Sequence, residues 1–212
     1  DSIEAHFGNR IGILRMRPPT FKPWNIWASA NGISSLTRAW CAVNQTAFAC
    51  YMFDDITNNP YPFNPRTNNV SFVSLRSLEK NDAVVKLWKV LGLDVAKAAM
   101  AGIVGQAAAE SMAAFFNMES ELVQPTDIFD NPEGVALPQK AAALFMTMFN
   151  LMDAITTQDE MSSAMMFIKR PGIGKEMQSI FVSMVNAPKL HKLARNNPLV
   201  SDFVKANADL LV

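Results

Sequence analysis

The sequence is poor in the residues that carry most site chemistry, with two cysteines, two histidines and two tyrosines among 212 residues. His6 and His191 are far apart in the chain, and neither groups with Cys41 or Cys50 at a spacing suited to structural zinc. A Ser-His-Asp site would have to recruit one of those two histidines, and no Gly-x-Ser-x-Gly occurs, so a hydrolase triad is not expected. On one helix, nine steps of about 100° set Cys41 and Cys50 on opposite faces roughly 13 Å apart, beyond the reach of a disulfide. Two unpaired thiols favour a reducing interior such as the cytoplasm, a virion or an organelle.

Neither sign of charge is in excess. Nineteen basic residues balance nineteen acidic ones, which excludes a histone-like polycation. Long apolar runs are also missing, since the best stretches, 98–109 and 141–149, contain Gln106 or end at Asn150, so no transmembrane span is expected. The sequence opens on Asp1 without a signal-like run, and processing of a preceding segment stays open.

What is abundant is core material. Half the residues are hydrophobic, with 13 Met and 14 Phe, so the chain can bury a sizeable core and is not disordered over its length. One all-α domain of about six to eight helices is expected over residues 34–212, behind an extended basic arm over residues 1–33. The arm carries Arg10, Arg15, Arg17 and Lys22 among Pro18, Pro19 and Pro23. It also holds Trp24 and Trp27, which should dock on a neighbouring subunit, because an extended segment has no face of its own to bury them.

Along the domain, Leu36, Trp40, Val43, Ala47 and Cys50 recur at helical steps and predict a helix over 34–53, capped by Ser34 or Ser35. Asn58, Asn59, Pro60, Pro62 and Pro65 make 54–69 a loop, and 70–75 alternates just enough for one short strand. Asn81 is read as the cap of a helix ended by Gly92, and Asp94 as the cap of one running to about Met118. Three prolines and three acids make 124–138 a connector. Helices follow over 139–156, 161–168 and 175–185, then a turn near 188–194 and a last helix opened by Asn197 and Pro198. Pro171-Gly172-Ile173-Gly174-Lys175 lacks the spacing of a phosphate-binding loop and is read as a helix-start turn.

Charge is segmented. Residues 1–97 hold eleven basic and seven acidic side chains, 98–168 one and nine, and 169–212 seven and three. Separated signs let one copy set a positive surface against a neighbour's negative one. A basic stripe for RNA would combine the arm arginines and Lys22 with Lys86, Lys89, Lys192 and Arg195.

Asp54-Asp55-Ile56-Thr57-Asn58 resembles the aspartate-rich motif of class I terpene synthases, a resemblance that implies Mg²⁺ held against a diphosphate. That family's second motif takes ligands at i, i+4 and i+8; the nearest match is Met152, Thr156 and Glu160, where a thioether replaces the first oxygen ligand. No cofactor, metal or catalytic residue is therefore expected. The run from Phe48 to Asp55, extending to Pro60, is similar to the Phe-Ala-x-aromatic-x-Phe core element of flexible filamentous plant-virus coat proteins, which are helical and bind RNA. The likeness covers about 13 of 212 residues and its surrounding spacing departs from that pattern, so the chain is not assigned to the family. The sequence thus points to a structural subunit of a coat, nucleoprotein or multi-subunit complex, most simply a homo-oligomer. The alternatives are an apolar-ligand-binding helical protein and a Mg²⁺-dependent terpenoid-type enzyme built on Asp54 and Asp55.

Overall fold

In the computed structural model, which describes residues 16–207 apart from 68 and 186, the first element is a helix where an irregular arm was expected. Helix α1 (Phe21–Ala30) buries Phe21, Trp24, Asn25 and Ala28, the i, i+3, i+4, i+7 stripe of an amphipathic helix. Pro18 and Pro19 precede it and Pro23 falls in its first turn, where a backbone N–H has no helical partner to lose. The prolines therefore open this helix rather than prevent it.

The expected helix over 34–53 stops early. Helix α2 (Ser35–Val43) begins at Ser34, whose hydroxyl accepts from the Thr37 N–H, and ends where Asn44 donates both its backbone and side-chain N–H to the Trp40 carbonyl. A 3-10 turn (Gln45–Phe48) and a series of turns follow, so Cys41 is buried in α2 and Cys50 lies beyond it. The 70–75 segment contributes a single bridge between Pro62 and Val73.

Helix α3 (Leu75–Leu91) starts six residues before the expected cap, because Ser74 and Ser77 form a reciprocal capping box. Asn81 is instead fully buried inside α3 and donates to the Met112 sulfur. Gly92 ends α3 as expected, at φ 80°, ψ 152°, a region essentially closed to other residues.

Gly105 repeats that conformation and divides the expected long helix into α4 (Leu93–Val104) and α5 (Gln106–Phe116). A Cβ at Gly105 would lie 2.7 Å from the Ser71 carbonyl oxygen, so the backbone approaches there as only glycine allows. The Ser71 hydroxyl also donates to the Gly102 carbonyl, which sets the end of α4 beside the start of α3. The two helices therefore run antiparallel.

The connector over 124–138 contains a short helix, α6 (Pro125–Asp130). Helix α7 (Ala141–Ala154) is apolar all round and is the central element, burying nine of its fourteen residues instead of the single face expected. Helix α8 (Gln158–Ile168) starts at a Thr157–Glu160 capping box, and α9 (Lys175–Val185) matches its expected span. The expected turn near 188–194 is helix α10 (Pro188–Arg195). Asn197 caps α11 (Pro198–Ala206) as its sequence position implied, its side chain accepting from the Val200 N–H.

Eleven α-helices are thus found among the described residues, against the six to eight expected. The surplus comes from α1, the glycine break, α6 and α10. No strand is formed among the described residues, and the fold is all-α. Helix α2 packs along α7, α3 to α5 pack in sequence, and α6 and α8 to α11 enclose the other side.

Candidate functional site

An apolar groove opens where α1 meets the first turn of α3. One part, about 440 Å³, is lined by Pro19, Pro23, Trp24, Trp27, Leu75, Arg76 and Glu79. It shares Pro19, Leu75 and Arg76 with a larger part of about 540 Å³ that continues past Phe48, Tyr51, Phe63 and Phe72. Aromatic edges build its wall: Trp24 lies 5.2 Å from Phe48, and Phe63 is 5.5 Å from Tyr51 and 5.0 Å from Phe72.

The two tryptophans expected to dock together on a neighbour have different surroundings. Trp24 is 3% exposed and packs into the chain's own core with Phe21, whereas Trp27 is 42% exposed at the groove rim. The geometric reason is the helix itself: residues 24 and 27 are three apart, and the stripe that faces the core passes through 21, 24, 25 and 28.

A second apolar surface lies at the other end of α3. Leu87, Val90, Leu91 and Val95 are 51%, 84%, 38% and 57% exposed around the Gly92 corner. Isolated exposed aliphatics are ordinary, but four on one corner make a contiguous patch.

The basic residues do not form one stripe. Arg10 and Arg15 lie outside the described residues, as does His6. Arg17 pairs with Asp54 and stacks over Phe53, and Lys22 is exposed on α1. Lys86 bridges Asp82 (2.8 Å) and the Gly32 carbonyl (2.7 Å), while Lys89 pairs with Glu119. Lys192 and Arg195 are exposed on α10, together with His191. Helix α3 packs on α2 and α4 and α10 on α8, α9 and α11, so these cations sit in different neighbourhoods.

The carboxylates of the Asp54-Asp55 run are engaged locally. Asp54 accepts from the Cys50 N–H and pairs with Arg17; Asp55 accepts from the Thr57 N–H and hydroxyl, which holds its carboxyl below the usual range. Met152 is buried in the core, and the Glu160 carboxylate accepts from the Thr156 and Thr157 N–H groups, which likewise lower its pKa. No group of three His, Cys, Asp or Glu residues suited to a metal ion is found among the described residues.

Two buried charges were not anticipated. Arg38 of α2 is 0% exposed; its Nε donates to the Ile33 carbonyl, Nη2 pairs with Asp153 of α7, and the guanidinium lies 5.3 Å from the Phe149 ring centroid. Its Nη1 has no partner. Asp82 of α3 accepts from the Ser34 N–H and hydroxyl and the Thr37 hydroxyl, so a carboxylate caps α2 from another helix, where the helix dipole favours it. Burial pushes the Cys41 thiol well up, and the nearby Asp82 charge adds to this. The available signal was a charge at positions where helical periodicity calls for core: Arg38 stands beside Trp40 and Cys41, and Asp82 falls between Leu78 and Val85.

No family model matches the chain, and no curated protein or solved structure is found to be similar to it. No helix among the described residues is long and apolar enough to cross a membrane. The class defined by the fold is therefore an all-α protein with an open apolar groove and an exposed apolar corner, and a role has to be argued from those surfaces.

Proposed function

We propose that the chain is a structural subunit that assembles with further copies of itself. The observation that carries this reading is the corner of Leu87, Val90, Leu91 and Val95, four exposed aliphatic side chains grouped at one end of α3, whereas the other exposed valines, Val43 and Val70, stand apart from it along the chain. Exposed apolar patches mark contact sites, and a subunit covers such a patch with its neighbour. The groove between α1 and α3 supplies a second apolar surface, and the segmented charge favours defined register between copies.

RNA as a partner of that assembly is the second reading. It rests on α10, whose eight residues include Lys189, Lys192 and Arg195 and no carboxylate. Particle size by light scattering and negative-stain imaging, across protein concentration and with or without RNA, tests both. Growth in mass with concentration supports the subunit role, and further growth with RNA that high salt reverses supports the second reading. A monomer under all these conditions refutes the proposal and returns attention to ligand binding in the groove.

A further inference from the structure

The exposed face of α3 has a symmetric layout. Arg76, Glu79, Ala83, Leu87 and Val90 are exposed and recur at three- and four-residue steps, so they form one stripe along the helix. The groove lies at the stripe's first turn, where Leu75, Arg76 and Glu79 line it with Trp27. The corner lies at its last turn, where Leu87 and Val90 lead into Leu91 and Val95. Ala83 sits midway, seven residues from both Arg76 and Val90, each about 10 Å away along the axis.

From this layout we infer that α3 pairs with α3 of a second copy, antiparallel about a two-fold axis at Ala83, so that each corner enters the other copy's groove. The inference rests on the self-assembly reading and names the surface it uses. Three features favour a second copy over another occupant. First, turning the stripe end for end about Ala83 brings position 90 opposite 76 and 87 opposite 79, so Val90 and Leu87 lie over the Arg76 and Glu79 side chains at the groove, beside Leu75 and Trp27, and the same contact recurs at both ends, as an isologous pair requires. Second, the small side chain stands where two helices must approach most closely.

Third, the charges are complementary. Neither Arg76 nor Glu79 makes an ion pair among the described residues, while the corner carries Asp94, which has the Lys97 ammonium at 4.0 Å and a side chain 98% exposed. Arg76 then meets the corner bearing Asp94, and Glu79 lies one residue from the level of Lys86, on the same flank of the stripe; the exposed Lys80 falls at that level on the other flank. Lys86 already bridges Asp82 and the Gly32 carbonyl, and its side chain remains half exposed to receive another carboxylate. The strip is about 24 Å long and one helix wide, roughly 500 Å² over both copies and below the about 1,200 Å² at which stable interfaces begin, so the pair is a weak, transient one that forms at high protein concentration.

The test uses the full chain, with each variant's fold checked by circular dichroism. In sedimentation velocity across concentration, Val90→Glu and Arg76→Glu should each weaken pairing at least tenfold, and Arg76→Glu combined with Asp94→Lys should restore it. Position 83 lies on the axis, so Ala83→Cys should cross-link to itself under mild oxidation, well above the background from Cys41 and Cys50 in the unaltered chain. Unchanged pairing in Val90→Glu, or absence of the residue-83 cross-link at concentrations where the chain associates, overturns the inference while leaving self-assembly standing. Association that is lost on deleting residues 1–15, with no residue-83 cross-link, gives the groove to that segment and likewise overturns it. A chain that stays monomeric throughout refutes both this pairing and the subunit role.

Discussion

Replacing Asp153 by alanine strands the buried guanidinium of Arg38 without its counter-charge. Arg38 is 0% exposed and its Nη1 already lacks a partner, so the loss of Asp153 leaves both terminal nitrogens unpaired above the Phe149 ring. Breaking a buried ion pair by removing one partner costs about 3–5 kcal/mol. The Asp153 side chain is 40% exposed and partly screened, which places the expected loss near the lower end, about 3 kcal/mol. At about 2–4 °C per kcal/mol for a chain of this size, the melting temperature should fall by about 6–12 °C. The informative control is Arg38→Met with Asp153→Ala together. The double variant removes the stranded charge, keeps an apolar stem against Phe149, and loses mainly the bond to the Ile33 carbonyl, about 1 kcal/mol. It should therefore be more stable than Asp153→Ala alone by urea unfolding followed in the far ultraviolet. A single variant within about 0.5 kcal/mol of the parent, or a double variant whose loss equals the sum of the two single losses, would refute the reasoning.

Other consequences follow from the same geometry. Gly105→Ala forces a side chain into a glycine-only conformation and toward the Ser71 carbonyl, and should cost about 2–3 kcal/mol by thermal or urea melts; Gly92→Ala, with open space around its Cβ, should cost less. Trp24→Ala should lower stability by about 3–5 kcal/mol, whereas Trp27→Ala should change it by under about 1 kcal/mol and act on self-association instead. Because the Glu160 carboxyl is held below its usual range by the Thr156 and Thr157 N–H groups, its contribution is complete above the unfolded carboxylate pKa near 4.3 and is lost as pH falls through the lower folded value. Glu160→Gln should therefore flatten the acid limb of a stability-versus-pH curve, and an unchanged limb would assign the loss to other carboxylates.

The helical class was legible because a core-facing stripe of Met, Phe and Leu repeats at helical spacing in most segments, and neither tertiary context nor caps alter that period. Boundaries were less legible, each for a local reason. Prolines over 18–23 read as breakers until their position ahead of α1 and in its first turn is known. Gly105 sits inside a good helical pattern, and what makes it a break is the approach of Ser71, thirty-four residues away in sequence. Asn81 is a plausible cap that lost to the reciprocal Ser74–Ser77 box. Trp24 and Trp27 were legible as anchors but not as a divided pair, since the division depends on α1 forming at all. The Arg38–Asp153 pair joins residues 115 apart, a contact that no local pattern contains.

Among the described residues no sheet edge exists, and nearly all regular backbone hydrogen bonding is closed within helices. The described residues therefore offer a partner no strand edge to extend. A partner that docks on the chain's helices reads side chains, one residue at a time. Joining of that kind is discrete: a single substitution on an outward face can switch a contact off while the fold stays intact. It also responds to ionic strength wherever charges set the register. Such a surface can diverge quickly between copies that share one fold, because the information it carries lies in a few exposed positions rather than in the main chain.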